Sequence, residues 1–261
     1  MQFHKDSKNR TYKTYGIVLR SYSMRESDRL VTVLTEDLGK VKIAVRGARK
    51  IKSRLGGHLQ ILNHALLLVS SSRTLDVVSG AEAKESFGFI KQNLPLLARS
   101  LYLMELTDAI IPEAVPQPSS YYCLLAALRL MNNQNEPNLI TAYYELKVLQ
   151  DNGYMPELYR CMKCGIEIVQ GRHSFSASQG GVVCDDCESF SLNTRSLSVE
   201  GLKILRFFSR VSIDSALELR LSGYQHSEVK NLLGELIICV LEKKLNAPNF
   251  IEHLTKIRPN Q

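Results

Sequence analysis

The sequence predicts an α+β protein, in which a small N-terminal β-barrel is followed by a mostly helical body with a cysteine-rich module embedded in it. Three observations predict this class. Short apolar segments with β-branched and aromatic residues fill 11–83, apolar residues at helical spacing prevail from Ser86 onward, and two Cys-x-x-Cys pairs interrupt the helical part. With 44% hydrophobic residues, a chain of 261 residues is long enough to bury a sizeable core.

The N-terminal part contains five predicted short strands, a number typical of a small barrel. They are Tyr15–Arg20, Leu30–Thr35, Lys40–Arg46, Leu59–Val69 and Leu75–Val78, with a turn at Leu38 and Gly39. The third strand alternates between apolar and basic residues. Its apolar face is Val41, Ile43 and Val45, and its basic face is Lys40, Lys42 and Arg46. We therefore expect one face of this strand in the core and a positive opposite face.

Five helices are predicted after the barrel, separated by proline and glycine breakers. They run from Leu94 to Ile111, from Ser119 or Ser120 to Met131, from Pro137 to Asp151, from Ser198 to Arg210 and from Gln225 to Leu245. The resulting domain prediction has six parts: an N-terminal extension (1–11), the barrel (12–84), a first helical part (85–158), the cysteine module (159–190), a second helical part (191–248) and a polar tail (249–261).

Positive charge is concentrated near the N-terminus. The net charge is +7, but Met1–Gln60 holds fourteen Lys and Arg against five Asp and Glu, so this part carries +9 and the remainder −2. The 38 residues between Asp37 and Asp76 contain no acidic residue. Within them, the loop Arg46–Arg54 places cations beside glycines and a serine, where side chains and backbone amides can reach phosphates. A polyanion partner is predicted, although a solvated basic face is the alternative.

Three tyrosines of the first strand allow two interpretations. Tyr12, Tyr15 and Tyr22 are suited to stacking on bases, as in barrels that bind single strands, or to ordinary barrel packing.

The four paired cysteines predict a structural zinc site. Cys161 and Cys164 are separated by nineteen residues from Cys184 and Cys187, and four thiolates fill a tetrahedral shell without an open position. Replacement of one ligand by His173, or four reduced thiols without metal, are the alternatives. Cys123 and Cys239 lie in apolar helical segments and are expected in the core.

The N-terminal part also resembles a known family. The segments Gly16–Arg20, Glu26–Val31, Gly47–Lys50 and Lys52–Gly56, with Thr35, Gly39, Lys40, Leu59 and Gln60, occur in the order found in the N-terminal domain of RecO, the bacterial recombination mediator. The resemblance continues more loosely to about residue 245. Arg25 departs from it, because a glycine is common there. The resemblance identifies the barrel as an oligonucleotide-binding (OB) fold and the cysteine module as a zinc finger.

The resemblance implies binding of single- and double-stranded DNA, annealing of complementary strands and, with RecR, loading of RecA onto DNA coated by single-stranded DNA-binding protein, whose acidic C-terminal tail is a further partner. The resemblance also implies that the cations at the matched positions contact DNA. Lys42, on the basic face of the third strand, is added to this set. The full set is Lys40, Lys42, Arg46, Arg49, Lys50, Lys52 and Arg54. Glu26, Ser27, Asp28 and Arg29 are expected to form a turn with a local ion pair, without a catalytic role.

Two other functions compete with this one. A metal-dependent nucleic-acid-processing enzyme needs convergent carboxylates, which the basic region lacks, and no phosphate-binding G-x-x-x-x-G-K-[ST] string occurs. A protein-binding adaptor for an acidic tail is compatible with the basic face. Because the chain contains neither a signal-peptide core nor an apolar span of membrane length, a cytoplasmic, nucleoid-associated protein without a membrane partner is expected.

Overall fold

The computed structural model describes residues 11–24, 26–48, 53, 55–169, 171–191 and 193–247. The chain divides into two compact units, one ending at Asn133 and the other running from Gln134 to Asn249. None of the described helices combines the length and the apolar character that crossing a bilayer requires.

The first unit contains a closed five-stranded barrel, as predicted. Its strands are β1 (Thr11–Ser23), β2 (Arg29–Thr35), β3 (Gly39–Val45), β4 (His64–Ser70) and β5 (Val77–Glu85). They follow one another around the barrel in the order β1-β2-β3-β5-β4, and β1 pairs antiparallel with both β2 and β4. Only Ala44 and Val77 pair in parallel between β3 and β5, where the barrel closes.

The barrel core is made by inward-facing residues from all five strands. They are Val18, Val31, Val33, Ile43, Val45, Ala65, Leu67, Val69 and Val78, joined by Ala48 and Leu59 from the connecting segment. Leu59 enters this core from a turn, since its N–H donates to the Leu55 carbonyl. The prediction of a strand beginning at Leu59 is therefore wrong, and β4 begins at His64.

Four helices complete the first unit: α1 (Leu55–His58), α2 (Gly88–Gln92), α3 (Leu94–Ile110) and α4 (Pro118–Asn132). α4 begins at Pro118 after Gln117, and Ser120 is buried inside it, so the helix begins one or two residues before the predicted start at Ser119 or Ser120. Proline is well suited to this first helical position because it has no N–H to satisfy. The structure divides the predicted first helical part, 85–158, between the two units.

A chain of polar side chains, buried at His64 and Tyr121 and exposed at Arg129, holds α4 against the barrel. His64 lies at the start of β4, with Nδ1 2.9 Å from Glu85 Oε1 and Nε2 2.9 Å from the hydroxyl of Tyr121. Arg129 binds Glu85 through two hydrogen bonds of 2.8 Å. Hydrogen bonding from Arg129 and then from His64 lowers the pKa of Glu85, against the opposing effect of burial. Each polar group in this chain therefore has a partner.

Replacing Glu85 with alanine is expected to lower the free energy of unfolding by about 2 kcal/mol at neutral pH, because His64 and Arg129 lose their shared partner. The lowered pKa of Glu85 means that this stabilisation is present above the ordinary carboxyl pKa and lost as pH falls through the lowered value. Urea unfolding at several pH values measures both effects. Glu82→Ala is the matched control, because its exposed pair with Lys84 contributes little; equal losses in the two variants would contradict the account.

The second unit combines helices with a three-stranded sheet. Its elements are α5 (Pro137–Asp151), β6 (His173–Ser176), β7 (Gly181–Cys184), α6 (Asp185–Glu188), β8 (Thr194–Leu197), α7 (Val199–Arg210), α8 (Ile213–Ala216) and α9 (Gly223–Leu241). The sheet has the order β7-β6-β8. Its four-residue strands are too short for the periodicity of the sequence to reveal.

Hydrogen bonds between the serine that caps α7 and a glutamate of α9 hold these two helices together. Ser198 caps α7, and Glu228 of α9 accepts hydrogen bonds from the N–H and the hydroxyl of Ser198 at 2.7 and 2.6 Å. Cys239 lies on the outer face of α9 and is exposed, while Cys123 is half-buried. The prediction of a core position is therefore wrong for Cys239. The outer face of α9 is partly apolar, since Ile238 is exposed on it as well.

Candidate nucleic-acid interface and metal centre

The outer face of β1, β2 and β3 carries a short basic row. In the strand register, Thr32 of β2 lies opposite Arg20 of β1 on one side and opposite Lys42 of β3 on the other. The three side chains therefore lie side by side across three strands. Tyr22 is in the next row and is 50% exposed, and its hydroxyl accepts a 2.8 Å hydrogen bond from Arg20. Arg20 is a candidate that the sequence analysis missed, although its two-residue spacing from Tyr22 on a strand was a usable signal.

Lys40, which we predicted to contact DNA, is only 6% exposed. Its ammonium group donates to the Asp108 carbonyl and lies 3.3 Å from Asp108 Oδ1. Asp108 Oδ2 also lies 2.9 Å from Arg20 Nε. Because α3 covers this end of the basic face, Lys40 joins the barrel to α3 and is not available to a ligand, which corrects the prediction.

Lys42 is exposed but paired with Glu113. Its hydrogen bond to Glu113 lowers the pKa of that carboxyl. The segment after α3 reaches this position because it runs close to the start of β3: the N–H of Ala114 donates to Lys40 O at 2.8 Å. Gly39 permits the approach, since it has a left-handed φ of 72° and an added Cβ would lie 2.0 Å from Val115 O. An acidic side chain therefore covers one predicted DNA contact.

Arg46 follows β3 and is exposed. The next residue, Gly47, donates its N–H to Asp28 Oδ1 at 2.8 Å, and the N–H of Met24 donates to Asp28 O at 3.1 Å. The predicted turn at Asp28 is thereby confirmed, and its carboxylate fixes the start of the basic loop. Four further predicted contacts lie outside the described residues: Arg49, Lys50, Lys52 and Arg54.

The three tyrosines of β1 have different surroundings. Tyr12 is half-buried against the barrel core, and its hydroxyl donates to Asp76 at 3.0 Å; burial and then this carboxylate raise its pKa. Tyr15 packs on the ring of His64, with centroids 5.7 Å apart. Barrel packing accounts for Tyr12, whereas Tyr15, which is 39% exposed, and Tyr22 beside Arg20 both retain ring surface suited to stacking.

The two cysteine pairs come together in the second unit. The four sulfur atoms of Cys161, Cys164, Cys184 and Cys187 lie within 4.8 Å of one another, and Cys164 Sγ is 3.7 Å from Cys184 Sγ. Sulfurs bound to zinc at ~2.3 Å are about 3.8 Å apart along a tetrahedron edge. The donor set therefore fits a tetrahedral zinc ion.

Backbone contacts position the first pair beside β7. Val182 N–H donates to Glu157 O, and Met162 N–H donates to Val182 O, both at 2.9 Å. Gly181 permits this approach, because an added Cβ would lie 2.5 Å from Glu157 O. Gly165 has a left-handed φ of 75°, and its N–H donates to Cys161 O at 2.9 Å, which closes a turn around the first pair.

The local field favours a thiolate at Cys161. Burial raises its pKa, but backbone N–H groups of Cys164, Cys184 and Lys163 together lower the pKa to about 6. His173 is outside the group: it lies in β6, with Nε2 2.7 Å from Val169 O. Asp185 and Asp186, between the two cysteines of the second pair, are exposed.

Comparison with known proteins agrees with this arrangement. Residues 9–87 match the family described as recombination protein O N terminal, and 92–248 match recombination protein O C terminal. A protein named DNA repair protein RecO from Roseiflexus sp. is 30% identical over 96% of this chain and 88% of its own length. One of the same name from Desulforamulus reducens is 33% identical over 94% of this chain and 95% of its own. The chain therefore belongs to the RecO family, with an OB-type barrel as its N-terminal domain.

Proposed function

We propose that the chain is a mediator of DNA repair and homologous recombination, which binds single- and double-stranded DNA and anneals complementary strands. With RecR, it helps to load RecA onto DNA coated by single-stranded DNA-binding protein. The observation that carries the proposal is the barrel face of half-buried Arg20 with exposed Tyr22 and Lys42, together with exposed Arg46 directly after β3. Cations position the phosphates and the tyrosine ring stacks on a base.

The chain acts by binding strands and not by breaking bonds. Among the described residues, the group arranged to hold a metal consists of four thiolates, which close the shell of one structural zinc per chain. Such an ion holds the ends of β7 and α6 to the Cys161–Cys164 turn. The proposed partners are DNA, RecR and the acidic tail of single-stranded DNA-binding protein, with RecA acting indirectly. The proposed location is the cytoplasm, at the nucleoid.

DNA binding by charge has a specific salt dependence. The logarithm of the affinity should fall linearly with the logarithm of the salt concentration, with a slope of roughly −0.7 to −0.9 per contacted phosphate and several units in total. Fluorescence anisotropy with a labelled single strand and a labelled duplex measures this slope. An affinity independent of salt, or no binding at low salt, would refute the proposal.

Replacing Glu113 with glutamine is expected to strengthen single-strand binding roughly threefold to tenfold at ~50 mM salt and to steepen the slope by about one, because Lys42 gains a phosphate. The same anisotropy titration tests this. Glu82→Gln is the control, since it releases Lys84 from a similar exposed pair on β5. If both variants strengthen binding equally, the gain reflects net charge and not the position of Lys42.

A further inference from the structure

The second unit has a positive surface of its own on α7. Leu202, Leu205 and Phe208 bury one side of this helix. Lys203 and Arg210 lie seven residues apart and are exposed, with half-buried Arg206 between them. At 1.5 Å per residue, the three cations extend over about 10 Å of the helix.

Tyr159 connects this helix to the base of the metal centre. The guanidinium carbons of Arg206 and Arg210 lie 4.6 and 5.0 Å from its ring centroid. Arg206 also donates to Leu158 O at 3.0 and 2.6 Å, and to Ile168 O at 3.0 Å, on either side of the first cysteine pair. The zinc-binding turn thus fixes Tyr159 and Arg206, and the exposed Arg160 follows directly.

These cations are not neutralised. In the described ranges, Arg160, Lys203, Arg206 and Arg210 form no ion pair. Glu157 is close, but its Oε1 accepts the backbone N–H groups of Tyr159 and Arg160 at 2.7 and 3.1 Å. Residues 134–249 contain twelve Lys and Arg and fourteen Asp and Glu, a net charge of −2. Among the described residues, these four cations therefore lie without an ion pair in a unit whose net charge is slightly negative.

We propose that Arg160, Lys203, Arg206 and Arg210 around Tyr159 form a second surface for single-stranded DNA, distinct from the barrel. This inference rests on the proposed annealing function, which requires two strands to be held together. Guanidinium groups beside an aromatic ring offer planes for base stacking in addition to N–H donors for phosphates. An acidic peptide would use only the charge, so the arrangement favours a nucleic-acid strand.

The test uses the full chain with Arg160, Lys203 and Arg210 replaced by alanine. Arg206 is retained because it binds the carbonyls beside the cysteine turn. The control replaces three other exposed cations of the same unit: Arg220 before α9, Lys230 in α9 and Lys243 after it. The same amount of positive charge is therefore lost from the same unit. Zinc content and circular dichroism establish that both variants are folded.

Two readouts separate the surfaces. Anisotropy measures binding of a first labelled strand, and energy transfer between two dyes measures capture of a complementary second strand. We expect the variant to bind the first strand within about threefold of wild type but to capture the second at least tenfold more weakly, as the loss of about three phosphate contacts predicts. The control should capture it normally.

Undiminished capture by the variant would overturn the second surface and leave the proposed function intact. Failure of the wild-type chain to bind even a first strand would overturn both. Polyglutamate tests the peptide alternative: if it binds wild type but not the variant, while second-strand capture is unchanged in the variant, the surface binds protein and the proposal is wrong.

Discussion

Replacing Cys184 with serine is expected to abolish stoichiometric zinc binding and to destabilise the second unit by about 5 kcal/mol or more, because the folding of small zinc sites depends on the metal. Cys184 is 4% exposed, ends β7 and donates its N–H to Cys161 Sγ at 3.4 Å. Its replacement therefore removes one of the four metal ligands and weakens the attachment of β7 to the turn that contains Cys161 and Cys164. Metal analysis and thermal unfolding, each with and without a chelator, measure the effect.

The loss should remain within the second unit. Hydrogen exchange is expected to accelerate in β6, β7 and the segment around Cys161, but not in the barrel, whose core is made by its own strands. Cys239→Ser is the matched control, because this exposed cysteine is outside the metal group. If Cys184→Ser loses zinc but keeps the stability and exchange pattern of wild type, the metal is not structural.

Replacing Arg49, Lys50 and Arg54 together with alanine is expected to weaken single-strand binding roughly 10²-fold at ~50 mM salt and to reduce the salt slope by about two to three, because three phosphate contacts are lost. These residues follow Arg46 in the sequence and belong to the stretch between Asp37 and Asp76 that contains no acidic residue. The salt titration by anisotropy measures both quantities.

A matched variant separates position from total charge. Lys13, Arg73 and Lys84 are exposed cations elsewhere on the barrel unit. Their replacement by alanine removes the same charge and should change binding only a few-fold. Equal losses in the two triple variants, or an unchanged slope in the basic-loop variant, would show that the loop does not contact DNA.

Local patterns in the sequence were sufficient for much of the fold. Alternation predicted the inward face of β3 because the strand period is two, and cysteine spacing predicted the metal group because short turns determine its geometry. Whether Lys40 is exposed depends on its contact with Asp108, which is 68 residues away in the sequence. A cation on a strand face has the same local pattern whether or not a distant helix covers it, so only the structure distinguishes Lys40 from Lys42.

The helical part shows a similar limit. Cys239 lies in an apolar segment, yet it is exposed. When most residues of a segment are apolar, the sequence does not reveal which face of the helix is buried. The surface around Tyr159 also escaped prediction, since it combines α7 with a turn more than forty residues earlier. In contrast, the spacing of the two cysteine pairs was sufficient to predict that the four sulfur atoms lie together.

Strand annealing on protein-coated DNA is the decisive measurement for the proposed function. Two complementary oligonucleotides, labelled with donor and acceptor dyes and coated with single-stranded DNA-binding protein, are mixed with the chain, with and without RecR. We expect wild type to raise the rate of pairing well above the spontaneous rate, and the variant with Arg49, Lys50 and Arg54 replaced to remain close to the spontaneous rate. Pairing at the spontaneous rate with folded, zinc-loaded wild-type protein would rule out the proposed annealing function.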